Sequence, residues 1–140
     1  MPLVATDTSG AVTRKRLEAF AAKEEKVTVV AATDAATVQV AATLAAAKTV
    51  VYTMTPTATR TLTTPTGAQL GAAFTDEAAG TSFEFTVVNV AAATHAITLT
   101  AGASGVTLGG VAGMATIAAA SSASFVAVFT AANTVTIYRK

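Results

Sequence analysis

The chain predicts an all-β fold, a jelly-roll-like β-sandwich of about eight strands preceded by an extended arm and a short helix. Three observations carry this. Thr81–Val90 sets Phe83, Phe85 and Val87 against Glu84, Thr86 and Val88 at period two, the pattern of a strand with one face on a core. From His95 onward, short β-prone runs recur between turn residues at the spacing of a sandwich or barrel. The composition is 52% hydrophobic and only 12% charged, far from that of a disordered chain.

The elements follow in order. Met1–Val12 carries Pro2, Thr8, Ser9 and Gly10 without periodicity and is read as an extended arm. Thr13 is placed as the cap of a helix reaching about Lys26, with Leu17, Phe20 and Ala21 on one narrow stripe. Val27–Ala32 and Thr37–Ala42 are strands around the turn Thr33-Asp34-Ala35-Ala36, and Ala41–Ala47 fits helix or strand. Thr49–Thr55 is a strand stopped by Pro56, and Arg60–Thr64 is a brief one. Thr64-Pro65 has the form of an N-cap followed by proline at the first helical position. A short helix then covers Thr66–Phe74, with Leu70 and Phe74 inward and Gly67 and Gly71 weakening it. Beyond the Thr81–Val90 strand come His95–Thr100, Val106–Leu108, Met114–Ala118, Ser122–Thr130 and Thr134–Arg139. Two parts result: an arm and helix over 1–26, and a β-body over 27–140. Residues 27–55 either join that body or form a small β-subdomain of their own.

Charge is segregated between these parts. Nine of the seventeen Asp, Glu, Lys and Arg residues lie in Met1–Lys26, while the β-body covers itself with Thr, Ser and Ala. Alanine makes up a quarter of the chain, so the core is thin in large side chains and the protomer is expected to bury further surface against copies of itself. A net charge of +1 gives no footprint for nucleic acid or an anionic membrane. The absence of cysteine removes disulfides and thiolate chemistry. No apolar run has the length of a transmembrane helix, and Leu17–Ala22, broken by Glu18, is too short for the core of a signal peptide.

Reactive constellations are scarce. His95 is the one histidine and has no Cys or second His to complete a zinc site, so a structural role is expected. Asp76-Glu77 and Glu84 lack the aromatic platforms of a glycosidase and the Asp/Asn-Gly pattern of a calcium loop, and are read as solvated. The glycine-rich stretch Gly102–Gly113 lacks the Lys-Ser/Thr ending of a phosphate loop and reads as turns. Ser121, Ser122 and Ser124 show no base or acid partner and no nucleophile-elbow motif. No enzyme activity, metal or cofactor is expected. The basic cluster Arg14-Lys15-Arg16 opposes the dipole of the helix that it begins, which suits neutralisation by an acidic partner.

Residues 60–138 resemble a β-module of tailed-bacteriophage virion proteins, the capsid decoration (cement) and head-fibre proteins. The resemblance is carried by Arg60-Thr-Leu-Thr-Thr-Pro65, Gly80-Thr-Ser-Phe-Glu-Phe-Thr-Val-Val-Asn89 and Ile97-Thr-Leu-Thr-Ala-Gly102. It continues through Ala123-Ser-Phe-Val-Ala-Val-Phe129 and Thr134-Val-Thr-Ile-Tyr-Arg139. It implies a non-enzymatic homotrimer on the capsid exterior, with copies of itself and the major capsid protein as partners. In that picture Arg14, Lys15, Arg16, Leu17 and Phe20 of the N-terminal helix are the candidates for gripping the shell. The competing expectation is a fibre or adhesin module for host-surface glycan, for which Tyr52, Tyr138 and Asp76-Glu77 are the candidates. Glu84 is expected near a sheet edge or paired with a cation such as Arg60.

Overall fold

A computed structural model describes residues 21–22, 24–75, 78–110 and 113–140. The expected arm and most of the expected N-terminal helix, with Arg14, Lys15, Arg16, Leu17 and Phe20, lie outside the described residues, as do Asp76 and Glu77.

The chain begins its sheets with β1 (Val27–Ala31) and β2 (Thr37–Val38), then makes one helical turn, α1 (Ala41–Ala45). The ambiguity over Ala41–Ala47 resolves as helix, which leaves β2 much shorter than Thr37–Ala42. The strands β3 (Thr49–Met54) and β4 (Arg60–Thr63) follow, then the helix α2 (Gly67–Ala73). Next come β5 (Ser82–Asn89), β6 (Ile97–Thr100), β7 (Val106–Leu108) and β8 (Thr116–Ile117). The hairpin of β9 (Ser121–Ala131) and β10 (Thr134–Arg139) closes the chain, with Asn133 at a positive φ of 56° in its turn.

Two sheets result, one of six strands in the order β1-β3-β5-β9-β10-β7 and one of four in the order β2-β4-β6-β8. The all-β, two-sheet architecture with few helices is therefore as expected. The sheets are mixed, however, whereas jelly-roll connectivity calls for antiparallel pairing. The reason is the route of the chain. From β1 to β6 each strand is followed by one in the other sheet, so the chain returns to a sheet running the same way. Thus β1, β3 and β5 are parallel neighbours, as are β2, β4 and β6. Antiparallel pairing enters with β8 on β6 and with the β9–β10 hairpin on β5. Residues 27–54 thereby share both sheets and the common core with the rest of the body.

The register stacks inner rows across the large sheet. Thr28, Val50, Phe85 and Phe125 are lateral neighbours, and so are Val30, Tyr52, Val87 and Ala123. Phe85 and Phe125 stack with ring centroids 5.1 Å apart. Phe74, just past α2, stacks on Phe83 at 4.7 Å and meets Phe129 edge-on at 5.5 Å. Such pairs add about 0.5–1.5 kcal/mol each beyond the area they bury.

Two local readings are corrected at α2. Its N-cap is Thr66, not Thr64, and a capping box joins Thr66 and Gln69. Thr64 is buried instead; its hydroxyl accepts from the Gly102 amide at 2.8 Å and donates to the Pro65 carbonyl at 3.2 Å. Gly67 is a necessity more than a weakness. A methyl at its Cα would lie 1.9 Å from the Asn133 carbonyl oxygen and 2.8 Å from that of Gly105, both rigid backbone. Gly67→Ala is expected to lower unfolding stability by about 1–3 kcal/mol or more through overpacking. Gly80→Ala, which meets no neighbour but sits at a φ of +93°, should cost only the backbone strain, about 1–2 kcal/mol. Denaturant melts of the two variants check this order.

Candidate interaction surface

The outer face of the six-stranded sheet is the broadest feature that the fold leaves uncovered by its own core. Its rows can be read across the register. One runs Val27, Thr49, Glu84, Val126, Tyr138; the next Val29, Val51, Thr86, Ser124; the third Ala31, Thr53, Val88, Ser122. These positions alternate with the buried ones, so each is half-buried or exposed. Thr86 and Ser124 hydroxyls bond one another at 2.9 Å. One carboxylate, Glu84, breaks these rows.

Glu84 is paired, but not with Arg60. The C-terminal residue brings Lys140 Nζ to 2.8 Å of Glu84 Oε1, both side chains about half exposed. Arg60 is turned to Asp34 instead, its Nε 2.6 Å from Oδ1. Sequence distance hid this partner, since Asp34 lies in the turn after β1 and Arg60 begins β4. Thr57 completes the cluster, donating its amide to Asp34 Oδ1 at 3.1 Å and its hydroxyl to Oδ2. The Arg60 bond first, and then those from Thr57, hold the Asp34 carboxyl well below the usual carboxylate range. The cluster ties the β1–β2 turn to the β3–β4 connection, so its chemistry is that of a clasp.

Several of the remaining groups singled out in the sequence have contacts within the fold. The backbone carbonyl of His95 accepts from the Asn89 side-chain amide at 2.8 Å, a contact that does not involve the imidazole, and no cluster of three metal-ligating residues occurs among the described residues. Ser121 donates to the Ala118 carbonyl at 2.7 Å. Tyr52 is buried, and burial pushes its phenol up to about 12 against a smaller opposing effect of the Val40 backbone. It is withdrawn as a glycan contact. Tyr138 stays 45% exposed, beside an open cleft of about 560 Å³ formed with Gly109, Gly113, Met114, Arg139 and Lys140. Arg139 Nη1 is bound to the carbonyls of Met114 and Thr116, joining β10 to the β8 end of the other sheet. No helix among the described residues is long and apolar enough to cross a membrane.

Asn89 is the residue that sequence reading missed. It occupies an inward position at the end of β5 and is 1% exposed. Its Nδ2 donates to the carbonyls of His95 and Ile117 at 2.8 and 3.1 Å, and its Oδ1 accepts from Ala91 at 3.1 Å. One side chain thus joins the large sheet to the approach to β6 and to β8. The available signal was a polar residue at the fourth place of the Phe83-Phe85-Val87 alternation.

Against known proteins, the chain matches no protein-family model, no curated protein and no solved structure.

Two measurements follow from these contacts. Asn89→Ala should destabilise the fold by about 1–3 kcal/mol for each backbone group left unpaired. Asn89→Asp should rescue little, because a carboxylate cannot donate to two carbonyls. The Asp34 clasp should make stability pH-dependent. A depressed carboxyl pKa contributes in full above the ordinary value of about 3.9, and the contribution fades as pH falls below it. Denaturation midpoints from pH 7 to pH 2 should therefore drop further for the native chain than for Asp34→Asn.

Proposed function

We propose that the chain is a structural virion protein that decorates and stabilises the exterior of a tailed-phage capsid as a homotrimer. Its partners would be copies of itself and the major capsid protein. The observation that carries this reading is the outer face of the six-stranded sheet: three rows of Val, Thr, Ser and Ala whose one carboxylate, Glu84, is already matched by Lys140. A face of this kind gains by being covered, since half-buried Val side chains lose further contact with water at little electrostatic cost. The resemblance of residues 60–138 to phage decoration and head-fibre modules supplies the setting. Within it the β-body forms the trimer and the charged 1–26 segment reaches the shell, with Arg14, Lys15 and Arg16 meeting acidic groups and Leu17 and Phe20 packing beside them. Among the described residues, Asp34, Arg60, Glu84 and Asn89 are taken up in contacts within the fold, which supports a non-enzymatic role.

A second reading, a fibre or adhesin module for host-surface glycan, is favoured by the exposed Tyr138 ring at the rim of its cleft. A glycan array separates the two: decoration predicts no hits, and a Tyr138-dependent hit would favour the adhesin.

Reversing Arg14, Lys15 and Arg16 to Glu should abolish capsid occupancy in a co-sedimentation assay while leaving the oligomer intact. Full occupancy by that variant, or sedimentation of the native chain as a monomer at micromolar concentration, would count against this proposal.

A further inference from the structure

The strand β1 closes one side of the six-stranded sheet, and its five residues, Val-Thr-Val-Val-Ala, contain no charge, proline or bulge. Proteins normally blunt such an edge. The other three sheet edges follow that rule by being short, since β2 and β8 have two residues each and β7 has three. The pairing with β3 shows which main-chain groups are left over. The Lys26 carbonyl accepts from Lys48 at 2.9 Å, and the Ala32 amide donates to Thr53 at 2.8 Å. Even-numbered residues therefore turn their amides and carbonyls toward β3, and Val27, Val29 and Ala31 turn theirs outward. No described strand pairs with that side. The side chains of Val27 and Val29 are 59% and 66% exposed.

We infer that this edge pairs antiparallel with β1 of a second copy of the chain, about a twofold axis through Val29. The outward groups are symmetric about that residue, so a copy is complementary to itself without any shift. Val29 exchanges two hydrogen bonds with the partner's Val29, and Val27 and Ala31 each exchange two with the partner's Ala31 and Val27. On the outer face these residues form one apolar strip. On the inner face Thr28 lies opposite the partner's Val30, covering a side chain that now only half reaches the core. Charge agrees with this register. At each end Lys26 of one copy lies opposite the partner's Ala32 and diagonal to its Asp34, the carboxylate that Arg60 already holds. Sliding the partner by two residues would leave fewer hydrogen-bonded pairs. The contact is twofold; beside the threefold one proposed above, it would join one trimer to the next. It stands independently of the capsid reading.

The chain contains no cysteine, so a single introduced thiol tests the register in the full-length protein. Cα atoms of an antiparallel hydrogen-bonded pair are about 5.5 Å apart, within the span that a disulfide bridges. Val29→Cys is expected to give a disulfide-linked dimer under mild oxidant. Val27→Cys should stay unlinked, because its counterpart lies opposite Ala31, four residues or roughly 13 Å along the strand. Val29→Lys places like charges face to face and should weaken self-association about fivefold by sedimentation, with an unchanged circular dichroism spectrum. Failure of Val29→Cys to link, equally fast linking of Val27→Cys, or undiminished association of Val29→Lys would overturn the inference. All three are read on the isolated protein, so a negative capsid-binding result leaves them unaffected.

Discussion

The lateral register of β5 against β3 on one side and β9 on the other is the constraint on which the sandwich depends. It places Phe85 between Val50 and Phe125, and Val87 between Tyr52 and Ala123, so parallel and antiparallel halves share one continuous inner surface. A slip of one residue on either side would turn that surface outward and bring Glu84, Thr86 and Val88 into the core. The Phe85–Phe125 stack and the Phe74–Phe83–Phe129 group resist such a slip, because rings that interdigitate cannot trade places with threonines. Asn89 fixes the same strand at its far end. Its three hydrogen bonds fit only when β5 stops where β6 and β8 can receive them.

This explains which parts of the fold were legible in the chain. Alternation is a local property, and it gave the faces of β5 and β9 correctly, Phe83, Phe85, Val87, Phe125, Ala127 and Phe129 all being buried. Connectivity is not local. A run such as Thr49–Met54 reads the same whether its neighbour arrives through a hairpin or by way of the other sheet, so nothing in it announced parallel pairing. The misplaced cap has a similar origin. Thr64-Pro65 and Thr66-Gly67 both carry cap chemistry, and the choice was made by Gly102, whose amide needs the Thr64 hydroxyl. Gly67 read as a poor helix residue because the carbonyl of Asn133, 66 residues away, is invisible to propensity.

The candidate surface divides along the same line. That Glu84, Thr86 and Val88 face away from the core follows from period two, and the exposure of Tyr138 follows likewise. The partners of the charges did not follow. Arg60 found Asp34 across the gap between successive turns of the chain, and Glu84 found Lys140, because the last residues of β10 come level with Glu84 across β9. Charge scarcity made these pairings consequential. With so few ionic groups in the body, each one spent on a clasp leaves the outer sheet face closer to neutral.

The unprotected edge of β1 is best understood through that scarcity. An isolated soluble sheet would carry lysine or proline there, at a small cost in β-propensity. This chain keeps its flanking charges, Lys26 and Asp34, at the two ends of the strand and leaves the middle to valine. A charge at Val29 would repel its twofold counterpart, whereas charges of opposite sign beyond the two ends come diagonal to one another in an antiparallel pair. Placing charge at the termini and none between is thus what a self-pairing strand requires.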